Sequence, residues 1–163
     1  MNELITLLKQ NARFSNQQLA SMLGISEAEV AEKIRQLEDD GVIKGYSVIV
    51  DENRVDKDMV IANIELKVTP QRDFGFDELA KTIMMYDEVE SISLMSGSYD
   101  LSVTVKGNNL KSIALFVSQR LATIEGVLST ATHFVLKTYK DKGIFIENEE
   151  NDEDKLRSKQ EAL

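Results

Sequence analysis

Residues 15–41, SNQQLASMLGISEAEVAEKIRQLEDDG, carry the same punctuation twice. A serine is followed three residues later by Gln or Glu, first as Ser15 with Gln18 and then as Ser26 with Glu29. In such a pair the hydroxyl accepts from the third backbone N–H of a helix, and the longer side chain reaches back to the serine N–H. Each serine therefore opens a helix. Within the first, Leu19 and Leu23 point inward with small Ala20 between them, and Gly24 stops the helix by taking positive φ at little cost. Ile25 plugs the turn. Within the second, Val30, Ile34 and Leu37 form the buried stripe, and Gly41 after Asp39-Asp40 ends it. Upstream, Leu4, Ile5, Leu7 and Leu8 make an apolar stripe that predicts a first helix near residues 2–11.

Two short capped helices joined through a glycine turn form a helix-turn-helix signature. The second helix of such a pair enters the DNA major groove with its N-terminal residues near base edges. That places Ser26, Glu27, Ala28, Ala31, Glu32 and Arg35 nearest the bases, with Lys33 and Gln36 further round where a phosphate is reachable. Backbone N–H groups at Ser15, Asn16 and Gln17 could hold another phosphate, because a helix N-terminus attracts anions. Glu29 is assigned to capping, while Glu32 could accept from cytosine N4. The competing reading is a helical hairpin that only supports the rest of the fold.

Residues 42–58 connect this domain to the next. Val42-Ile43-Lys44-Gly45 leads into Tyr46-Ser47-Val48-Ile49-Val50, a β-prone run expected as a strand. The polar segment Asp51 to Asp58 reads as a linker, so the connector spans 47–58.

From residue 59 to 146 the hydrophobic period alternates between two and 3.6. Ala62, Ile64, Leu66 and Val68 alternate with Asn63, Glu65 and Lys67 in a half-buried strand, which Pro70 closes. Phe76, Leu79, Ala80, Ile83 and Met84 line one face of a helix, and Met84 and Met85 are expected as core filler. Val89 to Met95 is a strand. Tyr99, Leu101, Val103 and Val105 alternate in another. Leu110, Ile113, Ala114, Val117 and Leu121 mark a second helix, and Val127 to Tyr139 a final strand. The order β-α-β-β-α-β is the ferredoxin-like arrangement, so the fold class is α+β: an N-terminal (winged) helix-turn-helix domain over 1–46 and a ferredoxin-like sandwich domain over 59–146. Two helices cover one face of a four-stranded sheet. Phe134-Val135-Leu136 puts apolar side chains on both faces of the last strand, which predicts self-association.

Composition narrows the function. No cysteine and a single histidine, His133, exclude thiol chemistry and cysteine-based zinc sites. No apolar run is long enough to span a bilayer, and the start Met1-Asn2-Glu3-Leu4 has no export signal, so the expected location is the cytoplasm without membrane association. The net charge is −9, but the acidity is uneven. Residues 1–46 hold five Lys/Arg and seven Asp/Glu, whereas the short tail 147–163 holds three and seven. The tail reads as a solvated acidic run. His133 is assigned no role beyond structure or an interface.

Several of these segments together resemble the leucine-responsive/asparagine-regulator family, the feast/famine transcription factors. The resemblance is carried by Leu19-Ala20, Leu23-Gly24-Ile25-Ser26, Leu37-Glu38 and Gly41-Val42-Ile43-Lys44-Gly45-Tyr46, then by Ser96-Gly97-Ser98-Tyr99-Asp100-Leu101, and by Thr130-Ala131-Thr132 with Val135-Leu136-Lys137. It covers roughly residues 1–146. It implies double-stranded DNA as a partner, homodimers that often build octamers, a nucleoid-associated location, and an amino acid or related effector bound between dimers. Carried over by position, the effector-site residues are Gly97, Ser98, Tyr99, Asp100, Leu101, Thr130 and Thr132. The chemistry suits that role: glycine permits close backbone approach, a carboxylate can hold an α-ammonium group, and threonine hydroxyls orient the ligand. Without the resemblance, Gly97-Ser98 reads as a hairpin turn with Asp100 facing water. The DNA-entering helix departs from the family in being less basic; Lys33 and Arg35 stand among several glutamates.

Two other functions compete. Ferredoxin-like dimers also host enzymes, although no nucleophile–base pair, metal cluster, cofactor motif or phosphate loop is evident here. An architectural DNA-organising protein would bind DNA without an effector.

Overall fold

The computed structural model describes residues 2–69 and 75–146. Pro70 and the tail 147–163 lie outside the described residues. The chain divides into two compact units, the first ending at Val48 and the second beginning at Ile49.

The first unit contains α1 (Asn2–Gln10), α2 (Asn16–Leu23) and α3 (Glu27–Asp39). Its core is Leu4, Leu19, Ala20, Val30 and Leu37, with Leu7, Leu8, Phe14, Leu23, Ile25 and Ile34 packed against it. These are the stripes that the periodicity marks. Gly24 takes φ 66°, as the turn requires, and any side chain there would strain the backbone. Beyond α3, the run Tyr46–Val50 belongs to no ladder, contrary to the expected strand. β-propensity describes a side chain's fit to a pleated surface, and among the described residues no strand lies alongside this run to hydrogen-bond it. Instead the Tyr46 hydroxyl donates to Glu38 Oε1 at 2.9 Å and ties the segment back to α3.

In the second unit a single helical turn, α4 (Glu52–Val55), occupies the expected linker. There follow β1 (Val60–Val68), α5 (Asp77–Ile83), β2 (Val89–Leu94), β3 (Leu101–Gly107), α6 (Leu110–Phe116) and β4 (Val127–Phe134). The strands form one antiparallel sheet in the order β2-β3-β1-β4, which is the ferredoxin-like topology. A small hairpin of β5 (Lys140–Asp141) and β6 (Ile144–Phe145) ends the described chain.

Ala62, Ile64, Leu66 and Val68 of β1 and Leu101, Val103 and Val105 of β3 are buried against Ile83, Ile113, Phe116, Val117 and Leu121 from the helices. The second helix widens into a π-helix over Val117–Leu121, with Ala122 N–H donating to Val117 O at 2.8 Å. The buried face of this helix includes Ile113, Phe116 and Val117, whereas Ala114 and Leu110, expected inside, are exposed.

Two more expectations are corrected. Met84 and Met85 are 57% and 77% exposed in the single chain, because α5 ends at Ile83 and the methionines follow the last inward turn. The final strand ends at Phe134 rather than Tyr139; Val135 N–H makes one further bond to Ile61 O at 2.9 Å, and Leu136 stands 95% exposed.

Alternation fixes which side chains occupy the helix-free face. Ser102 and Thr104 of β3 share it with Asn63, Glu65 and Lys67 of β1 and with Ser129, Ala131 and His133 of β4. It is a polar face. Thr104 Oγ1 donates to Asn63 Oδ1 at 3.1 Å, and His133 Nε2 lies 3.5 Å from Glu65 Oε1.

Candidate nucleic-acid interface and ligand loop

Both capping boxes form. Ser15 Oγ accepts from Gln18 N–H at 3.2 Å and Gln18 Oε1 accepts from Ser15 N–H at 2.9 Å. Ser26 Oγ accepts from Glu29 N–H at 3.2 Å, and Glu29 Oε2 accepts from Ser26 N–H at 2.9 Å and from its hydroxyl at 2.8 Å. The bond from the Ser26 backbone, then that from its hydroxyl, holds the Glu29 carboxyl below its ordinary range. Glu29 is thus occupied at the helix start, as its spacing implies.

The opposite side of α3 from Val30 and Leu37 is open to solvent. Ser26, Glu27, Ala28, Ala31, Glu32, Lys33, Arg35 and Gln36 are all exposed, as are Asn16 and Gln17 in the first turn of α2. Among the described residues of this unit, none covers the face that sequence assigns to DNA. Spacing does not reveal how the charges on it pair. Arg35 Nη2 donates to Glu32 Oε1 at 2.6 Å and Arg35 Nε to Glu32 Oε2 at 3.1 Å, while Arg35 Nη1 lies 3.6 Å from Asp39 Oδ2. The hydrogen bond from Arg35 lowers the Glu32 pKa, and the same bond raises that of Arg35. Lys33 makes no ion pair among the described residues.

In the second unit, Ser96 to Asp100 link β2 to β3. Gly97 and Ser98 are exposed, and Tyr99 and Asp100 are half-buried. Leu101 is buried in the core, so only its backbone can meet a ligand. Asp100 is built into the fold at three atoms: its N–H donates to Leu66 O at 2.9 Å, its carbonyl accepts from Met95 N–H at 2.7 Å, and Oδ2 accepts from Val68 N–H at 2.9 Å. The carboxylate therefore fastens the end of β1, a structural duty that sequence spacing does not show. Gly97 is different. Its φ lies outside the left-handed region, and a Cβ there would meet nothing within 4 Å. The fold itself does not require glycine at that position.

Thr130 and Thr132 are half-buried on β4, opposite Leu66 and Ile64 of β1. Leu66 also faces Leu101 across the other edge of β1. The loop and the threonine strand thus meet the same end of the sheet but flank β1, which sets their backbones about 10 Å apart. One subunit places them near each other without joining them.

Residues 61–145 match the family model of the Lrp/AsnC ligand binding domain, and residues 3–44 match that of a winged helix-turn-helix DNA-binding domain. An uncharacterized HTH-type transcriptional regulator of Bacillus subtilis, YugG, is 45% identical over 92% of this chain and 91% of its own length. Among solved structures, that of Escherichia coli AsnC superposes with a TM-score of 0.68 at 20% identity, covering 86% of this chain and 93% of the other. The complex of a Neisseria meningitidis transcriptional regulator with L-Met gives 0.70 at 23% identity, covering 85% and 88%. The matched families and relatives are transcriptional regulators, not enzymes.

Proposed function

Since this chain belongs to the Lrp/AsnC family of helix-turn-helix transcriptional regulators, we propose that it reads particular duplex sequences with α3 and changes its binding or assembly when a small molecule, an amino acid, occupies the loop at Gly97–Asp100. The observation that carries the DNA half is the outer face of α3: two capped helices, a fixed turn and a row of exposed side chains from Ser26 to Gln36. Ser26, Glu27, Ala28, Ala31, Glu32 and Arg35 face the bases, Lys33 and Gln36 the phosphate backbone, and the N-terminal turn at Asn16 and Gln17 a second phosphate.

The effector half is supported by Gly97. A glycine that neither backbone conformation nor neighbouring atoms require leaves an opening where a ligand backbone can approach. The L-Met in the Neisseria complex belongs to that protein; its α-ammonium and α-carboxylate are the groups that Asp100 and the hydroxyls of Ser98, Thr130 and Thr132 would complement here. Because β1 separates the loop from the threonines, a second subunit completes the site, and the working form is a homodimer or a higher multimer such as an octamer, acting at the nucleoid in the cytoplasm. An effector then shifts regulation by binding one assembly better than another.

Gel shifts on the protein's own promoter region, with and without a panel of amino acids, test this. A fragment-selective shift that one amino acid alters is the expected result. Equal shifts of every fragment would point to an architectural role, and no shift of any fragment would remove the DNA reading.

A further inference from the structure

Resting on the reading of α3 as the DNA-entering helix, we propose that Glu32 is a positioning residue that holds Arg35 for guanine and denies it to phosphate. Ala28, Ala31, Glu32 and Arg35 recur at three- and four-residue intervals along the exposed side of α3. The first two are small enough to let the helix approach a groove floor, and beyond them Glu32 and Arg35 are the long polar groups of the stripe. Glu32 engages Arg35 side-on, taking Nε–H and one N–H of Nη2 at 3.1 and 2.6 Å. That fixes the guanidinium plane. It leaves the end-on donors, one N–H of Nη2 and those of Nη1, unengaged by Glu32, with Asp39 Oδ2 3.6 Å from Nη1, beyond hydrogen-bond length.

Charge decides what those donors take. Arg35 with Glu32 and Asp39 carries a net −1, so the trio as a whole repels a phosphate. Directional hydrogen bonds survive this cancellation. Guanine O6 and N7 present two neutral acceptors along one edge in the major groove, the spacing that an arginine fork matches. A guanidinium held between carboxylates is thus a poor general anion anchor and a good base reader. The helix's acidity, which at first weakens the DNA assignment, becomes part of its selectivity: Lys33 remains as the phosphate-directed charge, and Arg35 is reserved.

Binding sites selected by the full-length chain from a random-sequence duplex library provide the test. Wild type should enrich a guanine at one position of each half-site. Arg35→Lys, which keeps the charge and loses the fork, should lower that preference about tenfold or more. Glu32→Ala should relax it by a similar factor and steepen the dependence of log Kd on log salt by roughly one, as the released guanidinium finds a phosphate. A variant that merely weakened the helix would lower affinity on all sites and leave the salt slope alone; far-UV circular dichroism confirms that each variant is folded. Unchanged guanine preference and slope in Glu32→Ala would overturn the positioning role while leaving α3 as the reading helix. A wild-type selection that enriches no sequence would overturn both.

Discussion

Asp100 shows how one side chain can be claimed by two tasks. Its Oδ2 accepts the Val68 N–H at 2.9 Å in a half-buried setting, so Asp100→Ala should cost about 1–2 kcal/mol through a donor left without its charged acceptor. Asp100→Asn retains an oxygen for that N–H and should cost distinctly less, yet it removes the charge offered to an α-ammonium group. Urea denaturation of the two variants, read beside thermal shifts with a panel of amino acids, separates the duties. The expected pattern is an Asn variant of near-native stability with no ligand-induced shift; a shift that persists in Asn would mean the effector ammonium is held elsewhere. Gly97 gives the converse case. With open space around it, Gly97→Ala should change stability by no more than about 0.5 kcal/mol while reducing any ligand-induced shift. The loop at Gly97 and Asp100 was singled out by its resemblance to the family's effector loop, since its residues alone read as a plain hairpin turn. The Asp100–Val68 latch was not, since it joins residues 32 apart that only the folded sheet brings together.

Helix caps are local chemistry, and both were readable from Ser15/Gln18 and Ser26/Glu29 because four consecutive residues contain the whole interaction. Where an element's limits depend on distant partners, local pattern fails. Tyr46–Val50 has strand propensity but, among the described residues, no neighbouring strand; β4 stops at Phe134 although the apolar pattern continues; and the buried stripe of the second helix runs through Phe116 rather than Ala114. For α3 the cap makes a pH prediction. The folded pKa of Glu29 lies below its ordinary 4.5, chiefly through the Ser26 N–H. Its contribution to stability is therefore complete above the unfolded value and is lost as pH falls through the lowered folded value. Glu29→Gln keeps an acceptor for the same N–H and should blunt the loss of helix between about pH 5 and pH 3, followed by far-UV circular dichroism. Ser26→Ala should cost about 1 kcal/mol at neutral pH, measured by the same signal in urea.

At the scale of the molecule, the two units have separate cores, one around Leu19 and Val30 and one around Ile64 and Val103. On the proposed multimeric reading, the subunits must be arranged in space, because DNA half-sites are read in register only when the reading helices are about one helical turn, or a multiple, apart. The second unit retains largely exposed apolar groups, with Leu136 at 95%, Phe145 at 72% and Leu128 at 70% exposure. Hydrophobic side chains this free contribute almost nothing to the stability of one subunit, so Leu136→Asp should leave the unfolding of the isolated subunit unchanged. In an assembly the same side chain loses water, and burying a carboxylate there without a partner is costly. Sedimentation velocity across a concentration series should accordingly show Leu136→Asp dissociating at concentrations at least about tenfold higher than wild type, the shift expected from losing about 1.4 kcal/mol at one contact. Its DNA affinity should then fall most on paired half-sites and least on a single one, because the second reading helix acts through effective concentration. If association and the paired-site advantage both survive the substitution, the surface around Leu136 faces water in the assembly, and the contact between subunits lies elsewhere.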